Sequence, residues 1–177
     1  MEVFQGRPAD VTGRLEKEIA VYDLLDQLDI PFRRVDHDHA DTMEMCQEID
    51  QALGQDICKN LFLCNRQKTK FYLLLMPGSK PFKTKDLSAQ IGSSRLSFGG
   101  PEDMERLLHL TPGSVTVLGL MYDPDCQVTL LIDQDLYQQT AFGCHPCINT
   151  SIVQFSTADL REKLLPALGH PVTLVQL

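Results

Sequence analysis

Apolar residues recur three or four positions apart in several stretches of the chain, which is the spacing of one face of an α-helix. The clearest stretch runs from residue 14 to residue 30 and is followed by Pro31, which ends a helix. Another has Thr42 near its start, two residues before Glu44, and Gly54 as its terminator. These patterns predict helices at 14–30, 40–53, 83–92, 101–110 and 156–168.

Runs of apolar and β-branched residues between these helices predict strands. Two of them, Leu61 to Cys64 and Phe71 to Met76, flank a polar, basic turn at 65–70 and therefore predict a β-hairpin. Further strands are predicted at 31–38, 113–123, 127–136, 150–155 and 172–177. The mixed order of helices and strands predicts one α+β domain with a mixed sheet, spanning residues 14–177 after a flexible N-terminus at 1–13.

Composition narrows the class of protein. The chain has 177 residues, 43% hydrophobic and 23% charged, which is ordinary for a globular domain with its own core. No apolar run approaches the roughly 20 residues of a membrane-spanning helix, so no membrane partner is expected. The net charge of −8 argues against coating nucleic acid by bulk electrostatics, although it permits a local basic pocket for one phosphate end.

The six cysteines are scattered along the chain, and only Cys144 and Cys147 form a close pair. Secreted disulfide scaffolds are usually shorter and denser in cysteine, so we expect reduced thiols and a cytoplasmic protein. The pair lies in the sequence GCHPC (143–147), which fits a redox dithiol, half of a zinc site, or a backbone loop. A strand, not a helix, is predicted after it, and no second close pair follows, so neither redox chemistry nor zinc is favoured.

The sequence HDHAD (37–41) matches the His-x-His-x-Asp start of binuclear metallohydrolase sites. Such sites need further His and Asp ligands, and only His109, His145 and His170 remain elsewhere. A solvated strand end is the favoured interpretation, and no metal or cofactor is expected. Lys59 and Asn60 stand at the entry to an apolar strand, a position that often lines a cleft, although taken alone a solvated lysine is the simpler interpretation.

Four segments in order resemble one known family: CKNLFL, RLSFGGPEDMERLLHLTPGSVTVLGL, GCHPCINT and GHPVTLVQL. They resemble the YbaK/ProX family of free-standing aminoacyl-tRNA editing domains, from about Leu15 to the C-terminus. The branch most similar is related to the editing insertion of prolyl-tRNA synthetase. This resemblance implies a curved, mixed sheet flanked by helices.

The resemblance also implies a set of site residues. The Lys-Asn motif falls on Lys59 and Asn60, and the Gly-x-His-Pro loop on Gly143, His145 and Pro146. The further substrate-binding residues it implies are His37, Thr42, Ser114 and Asn149. Relatives commonly have Pro where this chain has Val117, and other residues in place of both loop cysteines, so the sulfurs are expected to be incidental.

The roles implied are those of a second sieve, an editing site that hydrolyses products small enough to enter it. A synthetase needs such a site because its pocket for proline cannot exclude the smaller alanine. Lys59 would hold the phosphate or ester end of the terminal adenosine, and Asn60 the aminoacyl group. Backbone amides at Gly143 would cradle the oxyanion, and His145 would orient substrate or water.

The substrate implied is mischarged tRNA bound by its acceptor end, with alanyl-tRNA(Pro) first and cysteinyl-tRNA(Pro) as an alternative. Prolyl-tRNA synthetase is a candidate partner. A non-catalytic module that binds tRNA or the synthetase, and a thiol-disulfide protein, remain open. The basic residues predicted either to guide the acceptor stem or to form a solvated face are Arg66, Lys68, Lys70, Lys80, Lys83 and Lys85.

Overall fold

The structure is a computed structural model that describes residues 1–38 and 42–177. Its main helices are α1 (Glu16–Gln27), α2 (Met43–Leu53), α3 (Thr84–Ile91) and α4 (Pro101–Leu108). A last helical stretch consists of α5 (Thr157–Asp159), a π-helical turn (Leu160–Leu164) and α6 (Leu165–Leu168). None of the helices in the described residues is long and apolar enough to cross a membrane.

Local capping explains where α2 begins and ends. The Thr42 side chain accepts a hydrogen bond from the backbone N–H of Met45 at 3.2 Å, so it is the N-cap. Gly54 ends the helix with φ of 72°, a left-handed conformation that glycine adopts at little cost. The predicted helix at 40–53 is therefore confirmed from Met43 to Leu53, while its first two residues lie outside the described residues.

The strands form two sheets across residues 1–38 and 42–177. They are β1 (Phe4–Gln5), β2 (Arg33–Asp36), β3 (Lys59–Cys64), β4 (Phe71–Met76), β5 (Ser97–Phe98), β6 (Val128–Asp133), β7 (Ala141–Cys144), β8 (Ser151–Ser156) and β9 (Val172–Val175). The antiparallel sheet has the order β1-β2-β8-β7, and the mixed sheet has the order β5-β3-β4-β6-β9, with β4, β6 and β9 parallel. The predicted α+β fold with a mixed sheet is confirmed, and the second sheet is an addition to it.

The mixed sheet is buried on both faces, as the alternation along β3 shows. Phe62 and Cys64 point into the main core, which α1 and α4 also line, whereas Leu63 points into a smaller core beneath α3. A third cluster joins α2 to β2 and β8 through Ile49, Leu53, Val35 and Ile152. These layers place the start of β3 next to the end of β7.

The strand predicted at 113–123 is wrong. Val117–Tyr122 is a 3₁₀ helix, and the Thr116 side chain caps it by accepting from the backbone N–H of Leu118 at 3.3 Å. Gly119 packs closely on Leu110, since a Cβ at this glycine would lie 2.6 Å from Leu110 Cδ1. The run is apolar because it is fully buried, and burial alone does not distinguish a strand from a helical turn.

The strand predicted at 127–136 is confirmed only as far as Asp133. The side chain of Asp133 accepts from the backbone N–H of Asp135 at 2.8 Å and so begins a second 3₁₀ helix, Gln134–Gln138. At the N-terminus, Phe4 and Gln5 pair with β2, and Arg7 contacts Asp23 at 2.8 Å. These contacts attach residues 4–7 to the domain, while the predicted flexibility of 1–13 stays a prediction.

Candidate functional site

Two neighbouring cavities lie between the start of β3 and the end of β7. The large cavity has a volume of about 440 Å³ and the small cavity about 200 Å³. Both are lined by Ile57, Cys58 and His145, so they lie side by side. Lys59 and Gly78 add to the large cavity, whereas Asn60 and Gly113 add to the small one. The structure thus brings Lys59, Asn60 and His145 together.

Lys59 and Asn60 are the first two residues of β3, so their side chains leave the strand on opposite faces. Each therefore reaches a different cavity. The Lys59 ammonium donates a hydrogen bond to the backbone carbonyl of Lys80. Lys80 in turn directs its own ammonium to Asp133 at 2.9 Å and Asp135 at 2.7 Å. Lys59 is thus the cation that faces the large cavity, whereas Lys80 is neutralised by carboxylates.

Asn60 offers an unused acceptor to the small cavity. Its Nδ2 lies 3.4 Å from the carbonyl of Cys58 and 3.3 Å from the Cys58 sulfur. Its Oδ1 is buried and has no hydrogen-bond partner within residues 1–38 and 42–177. Because a buried acceptor without a partner costs free energy, this oxygen is the natural contact for a donor on a ligand.

His145 lies between the two cavities. Its Nδ1 is 2.9 Å from the carbonyl oxygen of Ser151. Since a carbonyl only accepts, Nδ1 carries the proton and Nε2 of the neutral ring keeps its lone pair. Burial lowers the pKa of His145, and the charge of nearby His37 lowers it further. The ring therefore stays an acceptor at neutral pH.

His37 follows β2 and is brought to His145 by strand pairing. Its backbone N–H donates to the carbonyl of Thr150 at 2.9 Å, which continues the β2–β8 ladder. The two ring centres are 6.3 Å apart. His37 Nδ1 lies 2.5 Å from the carbonyl oxygen of Asp38, and Nε2 is buried without a hydrogen-bond partner among the described residues. The two imidazoles thus lie close together, but the described residues that line the two cavities include His145 and not His37.

A charged network behind His145 was missed by the sequence analysis. Asp36 accepts from the Ser151 hydroxyl at 2.5 Å, from Arg14 at 3.0 Å and from Arg34. Burial alone would raise the pKa of Asp36, but the hydrogen bonds from Arg34, Ser151 and Arg14 outweigh it and lower that pKa to about 2. Because the carbonyl of Ser151 holds His145, this carboxylate fixes the residue that orients the imidazole.

The same network extends into α1. Arg14 contacts Glu18 at 2.6 Å, and buried Glu18 accepts from the Tyr22 hydroxyl at 2.5 Å. Burial, followed by the hydrogen bond to Glu18, raises the pKa of Tyr22. The one signal in the sequence was the position of Asp36 immediately before His37. The partners Arg14 and Ser151 lie far from Asp36 along the chain, and no sequence motif links them to it.

Gly143 lies within β7, opposite Gln154 of β8. A Cβ here would lie 2.7 Å from Ile57 Cδ1, so the glycine makes room for Ile57 between the cavities. Its carbonyl accepts from the Cys58 thiol at 3.3 Å. An oxyanion cradle formed by its amide stays a prediction, and the glycine's observed contribution is space.

Several residues implied by the resemblance lie away from the two cavities. Thr42 caps α2, and the Ser114 hydroxyl donates to the carbonyl of Thr111 at 2.8 Å. Pro146 is buried in the loop after His145. Asn149 lines another cavity, of about 390 Å³, although its Nδ2 would be 3.3 Å from a Cβ at Gly113.

Val117, where relatives commonly have Pro, is buried in the main core. The described residues that line the two cavities do not include it. Val117, the residue at which this chain differs from its relatives, is therefore not part of the wall of the small cavity. Val115 is part of that wall.

The thiols of GCHPC have the opposite environment from a redox dithiol. Cys144 and Cys147 are both buried and are free cysteines. Burial raises the pKa of Cys147 to about 12 and that of Cys144 well above its usual range. A reactive dithiol needs an accessible thiol with a lowered pKa.

The described part of the chain brings few potential metal ligands together. No group of three His, Cys, Asp or Glu side chains placed to hold a metal ion occurs among residues 1–38 and 42–177. The interpretation of 37–41 as a metal motif depends on His39 and Asp41, which lie outside the described residues.

Comparison with known proteins gives one consistent result. Residues 37–163 match the aminoacyl-tRNA editing domain family. The prolyl-tRNA editing protein ProX of Acetoanaerobium sticklandii is 31% identical over 92% of this chain and 99% of its own length. The prolyl-tRNA synthetase associated domain-containing protein 1 of Danio rerio is 27% identical over 94% of this chain and 88% of its own.

Solved structures agree on the fold. A crystal structure described as "a putative trans-editing enzyme for prolyl tRNA synthetase" superposes with a TM-score of 0.67 at 17% identity, covering 92% of this chain and 98% of the other. The matched residues include His37 as well as Lys59, Asn60 and His145, the three that line the cavities. The chain therefore belongs to the YbaK/ProX family of aminoacyl-tRNA editing domains.

Proposed function

We propose that this protein is a trans-editing deacylase that hydrolyses mischarged tRNA(Pro), with alanyl-tRNA(Pro) as its substrate. The proposal extends to this chain the editing function in the name of its ProX relative. The single observation that carries it is the unused Oδ1 of Asn60 in a cavity of about 200 Å³ whose wall includes His145.

That acceptor matches the donor which every aminoacyl ester presents. The α-ammonium of the amino acid would donate to Asn60 Oδ1, which places its side chain inside the small cavity. Val115, Ile57 and Gly113 form walls there, so added ring atoms would meet close-packed groups. A small amino acid is accepted and proline is refused by size, which is the logic of a second sieve.

The large cavity would take the terminal nucleotide of the tRNA. Lys59 faces it with an ammonium whose present partner is a neutral carbonyl, and a phosphate oxygen is a stronger acceptor for it. Since Lys59 and Asn60 are consecutive residues, the nucleotide and the aminoacyl group bind on either side of one strand end. The ester bond then lies near His145, the residue common to both cavities.

Hydrolysis in this site requires mainly that the ester and the attacking water be held in position. Water, aligned by the terminal ribose hydroxyl or by the lone pair of His145 Nε2, attacks the ester carbonyl carbon. Backbone amides at Gly143 and in the loop after β7 stabilise the oxyanion, and the ribose oxygen leaves with a proton as the carboxylic acid forms. Because the ester is already reactive, it is enough that each contact to the oxyanion lowers the activation barrier of hydrolysis by a few kcal/mol.

The test is an initial-rate deacylation panel. Alanyl-, seryl-, cysteinyl- and prolyl-tRNA(Pro) are presented at equal concentration, with a blank lacking enzyme to subtract spontaneous hydrolysis. We expect the alanyl ester to be cleaved at least tenfold faster than the prolyl ester. Equal rates would refute size exclusion, a cysteinyl preference would reassign the substrate, and tRNA binding without any cleavage would identify a binding module.

We also propose where and with what the protein acts. The substrate is made by prolyl-tRNA synthetase, so that enzyme is the expected functional partner. Buried thiols without disulfides fit the reducing cytoplasm, where tRNA is charged. Co-purification of the synthetase, and its loss after ribonuclease treatment, would distinguish direct contact from contact through tRNA.

A further inference from the structure

An aromatic pair, Phe82 and Phe98, lies outside the two cavities and has no part in the chemistry above. Phe98 of the edge strand β5 is 62% exposed, which is unusual for a large apolar side chain. The Phe82 ring, half-buried before α3, lies 6.2 Å from it between ring centres at an angle of 64°. The two rings form an edge-to-face pair in which most of the Phe98 side chain is exposed.

Strand pairing places this pair on the same side of the mixed sheet as Lys59. Phe98 is the partner of Leu63 in the β3–β5 ladder, and cross-strand partners point to the same face. Leu63 and Lys59 are an even number of residues apart on β3, so they share that face too. At about 3.3 Å per residue, the aromatic pair lies about 13 Å along the strand from Lys59.

A second connection runs through the chain before α3. Lys59 donates to the carbonyl of Lys80, and Phe82 is two residues further on. The ammonium expected to hold the terminal nucleotide and the aromatic pair are therefore anchored to the same short segment. A single strand of nucleic acid whose terminal nucleotide binds at Lys59 can therefore reach the aromatic pair with an earlier nucleotide.

The charges around the pair fit nucleic acid in spite of the net charge of −8. Lys83 and Lys85 are one and three residues after Phe82, Arg95 is three residues before Phe98, and all three are exposed. Within the described part of the chain, no ion pair engages any of these three side chains, in contrast to Lys80. Unpaired cations beside an open aromatic face are the common design of single-strand binding sites.

We propose that Phe82 and Phe98 form a stacking platform for a base of the single-stranded 3′ end of tRNA, upstream of the terminal adenosine. This inference rests on the proposed function, since it takes the terminal nucleotide to lie at Lys59. The platform binds by the face of a base and by phosphate charge, so it accepts any base at that position. It supplies affinity for the end of the tRNA that is independent of the esterified amino acid.

The test uses unacylated RNA, so that it does not depend on catalysis. A fluorescein-labelled single-stranded ACCA oligonucleotide is titrated by anisotropy with the wild-type protein and with Phe98→Ala, Phe98→Leu and Phe98→Trp. Alanine and leucine should each weaken binding about 5- to 150-fold, the effect of losing one stacked base, whereas tryptophan keeps the affinity. The chain has no other tryptophan, so RNA should quench the fluorescence of the Phe98→Trp variant directly.

Leu174→Ala is the matched control. Leu174 is 47% exposed on β9, the opposite edge of the same sheet, and its removal should leave RNA affinity unchanged. Wild-type affinity in the alanine variant, or no quenching at position 98, would overturn the platform. Dimerisation lost in Phe98→Ala without loss of RNA affinity would show a protein interface instead. Phe98-dependent binding with no ester cleavage would reject only the proposed function.

Discussion

His37 and His145 face each other with ring centres 6.3 Å apart, and each has its Nδ1 at a backbone carbonyl. Since its Nδ1 donates to the Ser151 carbonyl, the neutral His145 ring keeps the lone pair of Nε2. Burial and the nearby His37 ring lower the pKa of His145, so this ring resists gaining charge.

The first prediction concerns the pH dependence of deacylation. The pKa of His145 is lowered from 6.5 by burial and by His37, so the neutral ring persists as the pH falls below 6.5. We expect the acid limb of kcat/KM to have its midpoint below 6.5, and His37→Gln to move that midpoint upward. NMR titration of the His145 ring is the independent check, and a midpoint above 6.5 would contradict the assignment.

The second prediction concerns Lys59. Its ammonium has one hydrogen bond, to the Lys80 carbonyl, so Lys59→Ala should move the thermal midpoint little while it removes most deacylation. Lys163→Ala is the control, because that lysine lines neither cavity and, among the described residues, its ammonium contacts Asp29 and Asp159. Near-normal turnover in the Lys59 variant would take this residue out of the site.

The third prediction compares two glycines that touch Ile57. A Cβ at Gly78 would overlap the backbone carbonyl of Ile57, whereas a Cβ at Gly143 meets the mobile end of its side chain at 2.7 Å. Gly78→Ala should therefore destabilise the fold by about 1–3 kcal/mol. Gly143→Ala should instead keep most stability and lose activity, as Ile57 turns into the cavities.

Thermal denaturation and kcat/KM, measured on the same samples, separate these two effects. Gly100→Ala serves as control, since nothing lies within 4 Å of a Cβ at that position. Equal stability of the two test variants would show that the Ile57 backbone is free to move.

The fourth prediction concerns the thiols. Cys46 and Cys126 are exposed, whereas Cys58, Cys64, Cys144 and Cys147 are buried. An aromatic disulfide reagent should therefore titrate two thiols in the folded protein and six after denaturation. Fast reaction at Cys144 or Cys147, detected by peptide mass, would revive the dithiol interpretation.

The fifth prediction concerns Asp36 and acid stability. Its pKa of about 2 lies below the ordinary 3.8, so the hydrogen bonds of its carboxylate contribute stability that is present above pH 3.8 and lost as the pH falls toward 2. Asp36→Asn should lower the thermal midpoint at pH 7, and the difference from wild type should shrink by pH 3. Exposed Asp125→Asn should show neither effect.

The fold was predictable where the spacing of apolar residues along the chain is typical of a helix or of a strand but not of both. The hairpin of β3 and β4 is confirmed, with Leu61 opposite Leu74, because its two apolar runs flank a polar turn. The 3₁₀ helix at Val117–Tyr122 was not predictable from its apolar run, since full burial removes the alternation. β1 and β5 have two residues each, too short for any period to show.

The proximity of three motif residues was predictable, whereas the contacts that support them were not. Lys59, Asn60 and His145 line neighbouring cavities, and their roles stay predictions. Asp36, Arg14 and Ser151 are brought together only by the β2–β8 pairing and by α1, and contacts between distant segments leave no local mark in the sequence.

In the role proposed for Lys59, its hydrogen bond to the Lys80 carbonyl makes substrate capture an exchange reaction. A phosphate that takes the ammonium would leave that carbonyl without its donor, so the affinity gained would be the difference between two hydrogen bonds and not the worth of one. An uncharged alcohol would gain almost nothing by such an exchange, whereas an anion would gain a charge-assisted bond. The resting contact would thus favour anionic over neutral ligands at Lys59.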